Sequence, residues 1–308
     1  MKKTVTTLFG LLLMSTAFAE IGENGLVLDS VITTWQDGTR TDKTVYEYNS
    51  NKQVTVINEF EYDDVLAILT SRSINTYNEN DQKVKQESYE LMDGELVLNE
   101  ITEYSNWDAT TNEPGLIITY SRDPENPEAG IILNAKQEFF FDNEGIPTDY
   151  HIYEWDDENE EWSLSARGNM SYDEQGLLSG LYLTASLYDG LINIESTSTY
   201  EYDSNKHVTK ETISQNINGE PYKTSVRSYL NEYYDDGNLK TVTETTEGSS
   251  LLTIEHYFWG ELNATRINSI KSALRRAGIY FDLSGRAYNG TPTEPGIYII
   301  DNRKVVIE

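Results

Sequence analysis

Residues 200–206, Tyr-Glu-Tyr-Asp-Ser-Asn-Lys, decide how this chain is read. An aromatic strand end runs into an Asp/Asn turn. The phrase returns as YEYNSNK (46–52), TYNENDQ (76–82), FFFDNEG (139–145), SYDEQG (171–176) and YYDDGN (233–238). A worn copy is SNWDATTNE (105–113). Its turn-side aromatics are Tyr48, Tyr77, Trp107, Phe141, Tyr172, Tyr202 and Tyr234, spaced by 29, 30, 34, 31, 30 and 32 residues. A period of about 30 residues marks a repeat protein.

A second turn series interleaves with the first. It includes Asp37-Gly38, Asp93-Gly94, Asp156-Asp157, Asn218-Gly219 and Glu247-Gly248. Asp-Gly and Asn-Gly between apolar runs are strong hairpin signals. The segments between turns alternate with period two. In residues 161–173, Trp162, Leu164, Ala166, Met170 and Tyr172 oppose Ser163, Ser165, Arg167 and Ser171. Such alternation predicts half-buried antiparallel strands, one face dry and one wet. The expected fold is all-β, an up-and-down meander of about sixteen long strands. A sheet that size must roll, fold over or close.

Composition bounds the class. Residues 1–19 read as a secretory signal: Lys2 and Lys3, a short apolar run, then Ala17-Phe18-Ala19 as the cleavage site. No later stretch reaches the ~18 apolar residues of a spanning helix. Strands such as KHVTKETISQNI (206–217) lack the continuous apolar face that a lipid-embedded barrel needs. No transmembrane span is therefore expected. The chain has no Cys, which excludes disulfides, thiolate metal sites and Cys nucleophiles. Removing the leader leaves 21 Lys+Arg against 52 Asp+Glu, a charge of about −31. That argues against a nucleic-acid partner.

The domain plan is a signal peptide (1–19), a repetitive β-meander (20–262), a short helix or linker (263–278) and C-terminal hairpins (279–308). The last segment contains YFDLSGR and PGIYII, followed by a basic-apolar end. Through Tyr280, Asp282, Leu283, Gly285, Arg286, Gly296, Tyr298 and Lys304 it resembles the C-terminal sorting tail of type IX secretion cargo in Bacteroidota. The family module is normally longer and usually ends on Lys, where this chain ends on Glu308. The repeats (SYDEQGLL, YEYDSNK, YYDDGNL) look like the YD-type repeats of bacterial surface proteins. These resemblances imply a β-rich exported scaffold, at the cell surface or outside the cell, with the periplasm as the alternative. They imply the secretion machinery as a partner and do not imply a reaction.

Catalytic and metal motifs are sparse. His151, His207 and His256 stand far apart, with no HxH or HExxH spacing and no GxSxG phrase. Asp156, Asp157 and Glu158 in one turn, and Asp235, Asp236 and Asn238 in another, offer oxygen-rich candidates for calcium. Neither has the spacing of an EF-hand loop, and no other cofactor is expected. Trp155 and Trp162 flank the first cluster and could stack on a sugar. The leading expectation is a non-catalytic binding or structural module with an unknown surface protein or glycan as partner. A glycan-binding or glycan-hydrolysing protein and a calcium-stabilised stalk are the alternatives.

Overall fold

The computed structural model describes residues 22, 25–63, 65–123, 130–187 and 191–262, together with 279–282, 287–289, 296–300 and 303–307. The leader with Ala17 and Ala19, and the expected helix or linker at 263–278, lie outside the described residues.

The chain divides into two compact units, Met1–Glu261 and Leu262–Glu308. The first contains sixteen strands: β1 (Val27–Trp35), β2 (Arg40–Tyr48), β3 (Val54–Asp63), β4 (Leu66–Tyr77), β5 (Lys83–Met92), β6 (Glu95–Trp107), β7 (Pro114–Arg122) and β8 (Ile131–Phe141). They continue as β9 (Pro147–Asp156), β10 (Glu161–Tyr172), β11 (Leu178–Leu187), β12 (Ile192–Tyr202), β13 (Val208–Ile217), β14 (Glu220–Tyr233), β15 (Leu239–Thr246) and β16 (Leu252–Gly260). Each pairs antiparallel with the next, and β1 pairs antiparallel with β16, from Val27↔Gly260 to Trp35↔Thr253. The meander therefore closes into a barrel with no free sheet edge.

The repeated phrase is a turn of fixed construction. In five copies its first residue is Asp or Asn, whose Oδ1 accepts from backbone N–H groups two and four residues on. Asp173 accepts from Gln175 at 2.8 Å and Leu177 at 2.9 Å. Asn49, Asn78, Asp142 and Asp203 do the same. The fourth residue is left-handed at Lys52, Asp81, Gly145, Gly176 and Lys206, with φ of 64°, 63°, 81°, 78° and 68°. A left-handed residue closing a short turn makes the bulged hairpin common in antiparallel sheets. The worn copy is one residue longer, and Asp108 there accepts from Thr110 and Thr111.

The aromatic before each turn has its own task. In four copies it is a tyrosine that sits at a register shift and reaches back to the opening of the preceding strand. Tyr48 donates its hydroxyl to Leu28 O at 2.5 Å, Tyr77 to Val54 O at 2.8 Å, Tyr172 to Pro147 O at 2.8 Å and Tyr202 to Leu178 O at 2.7 Å. Here the sequence spacing needs a correction. In YYDDGN, Tyr234 occupies the turn-opening slot, because its N–H bonds Asn238 O and its O accepts from Gly237. The equivalent aromatic is Tyr233, which donates to Asp203 Oδ2 at 2.6 Å. An eighth copy is Trp259 at the end of β16, whose Nε1 donates to Leu239 O at 2.7 Å.

The buried residues share one face, the inner wall. A row of cross-strand partners runs Ile117–Gln137–Ile152–Ala166–Ala185–Ile194. A second runs Phe139–Tyr150–Gly168–Leu183–Ser196. These rows supply the apolar core on β7–β11. Tyr150 lies against Gly168 so closely that a Cβ there would collide with its ring. The core is a strip along the wall, and a sixteen-stranded barrel is wide enough to enclose water.

The second unit is a four-stranded sheet of β17 (Ile279–Asp282), β18 (Ala287–Asn289), β19 (Gly296–Ile300) and β20 (Arg303–Ile307), in the order β18-β17-β19-β20. Two hairpins join through Phe281↔Ile299 and Asp282↔Tyr298. Lys304 pairs with Ile299 and Gly296 with Ile307. Leu283, Gly285 and Arg286 lie outside the described residues.

Two tyrosine-to-phenylalanine changes separate the hydroxyl's role from packing. Tyr202→Phe removes a bond to a backbone carbonyl and is expected to cost about 0.5–1.5 kcal/mol in denaturant unfolding. Tyr150→Phe removes a buried hydroxyl that has no partner among the described residues and is expected to cost nothing measurable. Equal losses would contradict the assignment.

Candidate functional site

The inner wall changes character beyond the apolar strip. Across β11–β14 it carries Leu181–Ser198–Ile213–Ser225, Ser196–Gln215–Lys223 and Tyr200–Glu211–Arg227 as cross-strand rows. These rows line a cavity of about 280 Å³. Period-two alternation places them. Each sits two residues from the next along its strand, and the paired partners put all of them on the face of Leu183 and Ala185.

Glu211 is the unusual member, a carboxylate only 6% exposed. An isolated buried charge is costly, so it needs partners. Arg227 Nη1 donates to Glu211 Oε2 at 3.3 Å, and Tyr229 Oη to the same oxygen at 3.5 Å. The guanidinium also has its Nε 3.9 Å from Glu244 Oε1. Burial, then the nearby Glu211, holds the Tyr200 hydroxyl above its ordinary value. Burial, then Glu244, pushes Tyr229 up to about 12. Among described residues this wall thus offers neutral phenols, the Glu211–Arg227 ion pair, the Lys223 ammonium, an amide and three serine hydroxyls beside aliphatic side chains. It holds both donors and acceptors.

The residues singled out from sequence lie elsewhere. Trp155 and Trp162 are cross-strand partners at the end of the β9–β10 hairpin. Their rings meet edge to face, with centroids 5.1 Å apart and planes at 68°. They stand on the outer wall. A register shift between Leu164 and Ala166 breaks the strict alternation of β10, so Trp162 and Leu164 face away from Ala166 and Met170. Lys136 Nζ lies 4.2 Å over the Tyr153 ring and 5.3 Å from that of Trp162, while bonding Glu138 at 2.8 Å.

In the adjoining turn, Asp156 accepts from Glu158 N and Asn159 N through Oδ1 and from Asn159 Nδ2 through Oδ2. Both oxygens hold the turn itself. Asp236 likewise accepts from Asn238 N and Nδ2, at 3.2 and 3.0 Å. No group of three or more His, Asp or Glu among the described residues is arranged to hold a metal ion. The histidines have separate neighbours: His151 packs between Phe140 and Tyr153, His207 meets Tyr233, and His256 meets Thr34.

The wall's tyrosines set an alkaline limit on stability. Tyr229 and Tyr172 each stand at about 12 when folded, against 10.0 ordinarily. A raised folded-state value means the folded chain holds its proton longer. Their contribution is full below about pH 10 and is lost as pH rises through about 12. Melting temperature should stay level on approaching pH 10 and then fall as tyrosinate absorbance grows. A fall beginning well below pH 9 without tyrosinate would contradict this.

A scan against protein-family models and a search of curated proteins find no match. Among solved structures, the chain is similar to a porin-like protein from Bacteroides uniformis, at 9% identity over 76% of this chain and 96% of that one, with a TM-score of 0.45. A porin-like protein from Bacteroides vulgatus gives 10% identity, 76% and 98% coverage and a TM-score of 0.39. A DUF3836 family protein from Parabacteroides distasonis gives 16% identity, 41% and 86% coverage and a TM-score of 0.21. At these scores the functional argument rests on the barrel's own residues.

Proposed function

We propose that this chain is an exported, non-catalytic β-barrel acting at the cell surface or outside the cell as a binding or structural module. The observation that carries the reading is the contrast between its two walls. Outward rows such as Arg167–Thr184–Glu195–Asn216 and Glu201–Lys210–Ser228–Thr245 are polar or charged throughout. A lipid-embedded barrel places apolar residues at such positions, in a band about 25 Å tall. Among the described residues no helix is long and apolar enough to cross a membrane. The barrel therefore stands in water on its outside. Its concave inner wall offers the recognition surface, as enclosed sites with a few convergent polar groups do.

Export is supported by the leader motif and by the tail's likeness to type IX sorting signals. The YD-type likeness accords with a surface scaffold. Under this reading the tail engages the secretion machinery and the barrel is the cargo.

Two measurements check the reading. The mature chain, purified without detergent, should stay monodisperse and fail to float with phospholipid vesicles. Flotation, or a requirement for detergent, would overturn the water-exposed barrel. In a host with type IX machinery, deleting residues 279–308 should leave the barrel in the periplasm. Undiminished surface delivery would refute the tail's role.

A further inference from the structure

We propose that the inner wall of β11–β14 binds a neutral saccharide, one or two sugar rings in size, held between the Glu211–Arg227 pair and Gln215. The inference rests on reading the barrel as a binding module and names the ligand class of that same wall.

Charge balance is the first argument. Of the two cations lining this space, Arg227 is held by Glu211 and stands near Glu244, while Lys223 is exposed to solvent. At the Glu211 end of the space an anion would have to displace Glu211 from Arg227, and a cation would have to displace Arg227 from Glu211. Glu211 is the buried partner, and leaving its charge uncompensated is strongly unfavourable. A ligand that leaves the pair intact and bonds to its outer edges is favoured. Vicinal hydroxyls do this, since each can donate to a carboxylate and accept from a guanidinium. Gln215 adds a second group that both donates and accepts, and Ser198 a third.

Shape and polarity agree. Leu181 and Ile213 sit in the same row as Ser198, so apolar surface and hydroxyls alternate over a few ångströms. A pyranose has that pattern, with C–H faces and a hydroxyl rim. The volume, about 280 Å³, lies just under the usual range for ligand pockets and suits a small sugar. Glu211 is more than nine-tenths buried, so the polar group is built into the wall. The Trp155–Trp162 pair is the poorer platform, because edge-to-face rings leave no shared flat surface for a sugar.

The test is calorimetric titration of the mature full chain with neutral disaccharides: maltose, cellobiose, lactose, xylobiose and chitobiose. Glucuronate and glutamate serve as anionic controls. At least one neutral sugar should bind, and neither anion. Gln215→Ala should weaken binding about tenfold, the equivalent of one hydrogen bond. Ser225→Trp fills the cavity from the inner wall and should abolish binding. Thr224→Trp, on the adjacent outward position, should leave it unchanged, and melting curves verify that both variants fold. Binding lost with Thr224→Trp or Trp155→Ala but kept with Ser225→Trp would move the site to the outer wall and overturn the proposal. Binding of an anion only, or of none of the probes, would also overturn it. Those outcomes leave the water-exposed barrel standing, and that reading fails separately if the chain floats with vesicles.

Discussion

The first strand must find the last. Fifteen of the sixteen strand pairings join sequence neighbours, but the sixteenth brings β1 to β16 across almost the whole unit. Without that pairing the chain would be a very large open sheet with two exposed edges, a form that twists, splits or aggregates. With it, every strand has two partners and the two faces become an inside and an outside. The polar cavity exists only because the sheet closes. Its rows on β11–β14 would otherwise lie on an open, solvated face.

Closure over so many strands demands a register that does not drift. A one-residue slip would carry every side chain to the opposite wall. The repeat supplies the control. Each Asp/Asn turn fixes one end of a hairpin, and Tyr48, Tyr77, Tyr172 and Tyr202 tie their hydroxyls to the opening carbonyl of the strand before. Neighbouring turns also bond to one another, Asn51 Nδ2 to Asp81 Oδ1 at 2.9 Å and Gln82 Nε2 to Asn112 Oδ1 at 2.7 Å. A rim of mutually bonded turns holds spacing between hairpins as well as within them. Single bonds of this kind contribute little, and their effect lies in repetition.

The strands, their number and their turns were legible because turn chemistry and alternation are local. What depended on pairing was not. Tyr234 is aromatic and one residue from the true position, and only the turn's backbone bonds show that Tyr233 is the equivalent. Trp259 was missed as an eighth copy because no Asp/Asn turn follows it. The register shift beside Leu164 reverses the faces of Trp162 and Ala166, and a bulge leaves no mark on composition. Glu211 and Arg227 lie on successive strands, and their meeting needs the β13–β14 register. Glu211 at an inward position of a Thr-rich strand was the available signal. Closure itself had no signature, since β1 and β16 resemble any other pair.

The most direct test of the account is cysteine pairing across the seam. The chain has no Cys, so two introduced ones report without background. Thr33↔Glu255 and Ile32↔His256 are successive cross-strand pairs of β1 and β16. Because adjacent antiparallel pairs alternate between wide and narrow spacing, at least one should suit a disulfide. Thr33→Cys/Glu255→Cys and Ile32→Cys/His256→Cys chains, oxidised mildly as folded monomers, should yield an intramolecular bridge in at least one case. Bridges that form only between chains, or in neither variant, would contradict a closed barrel.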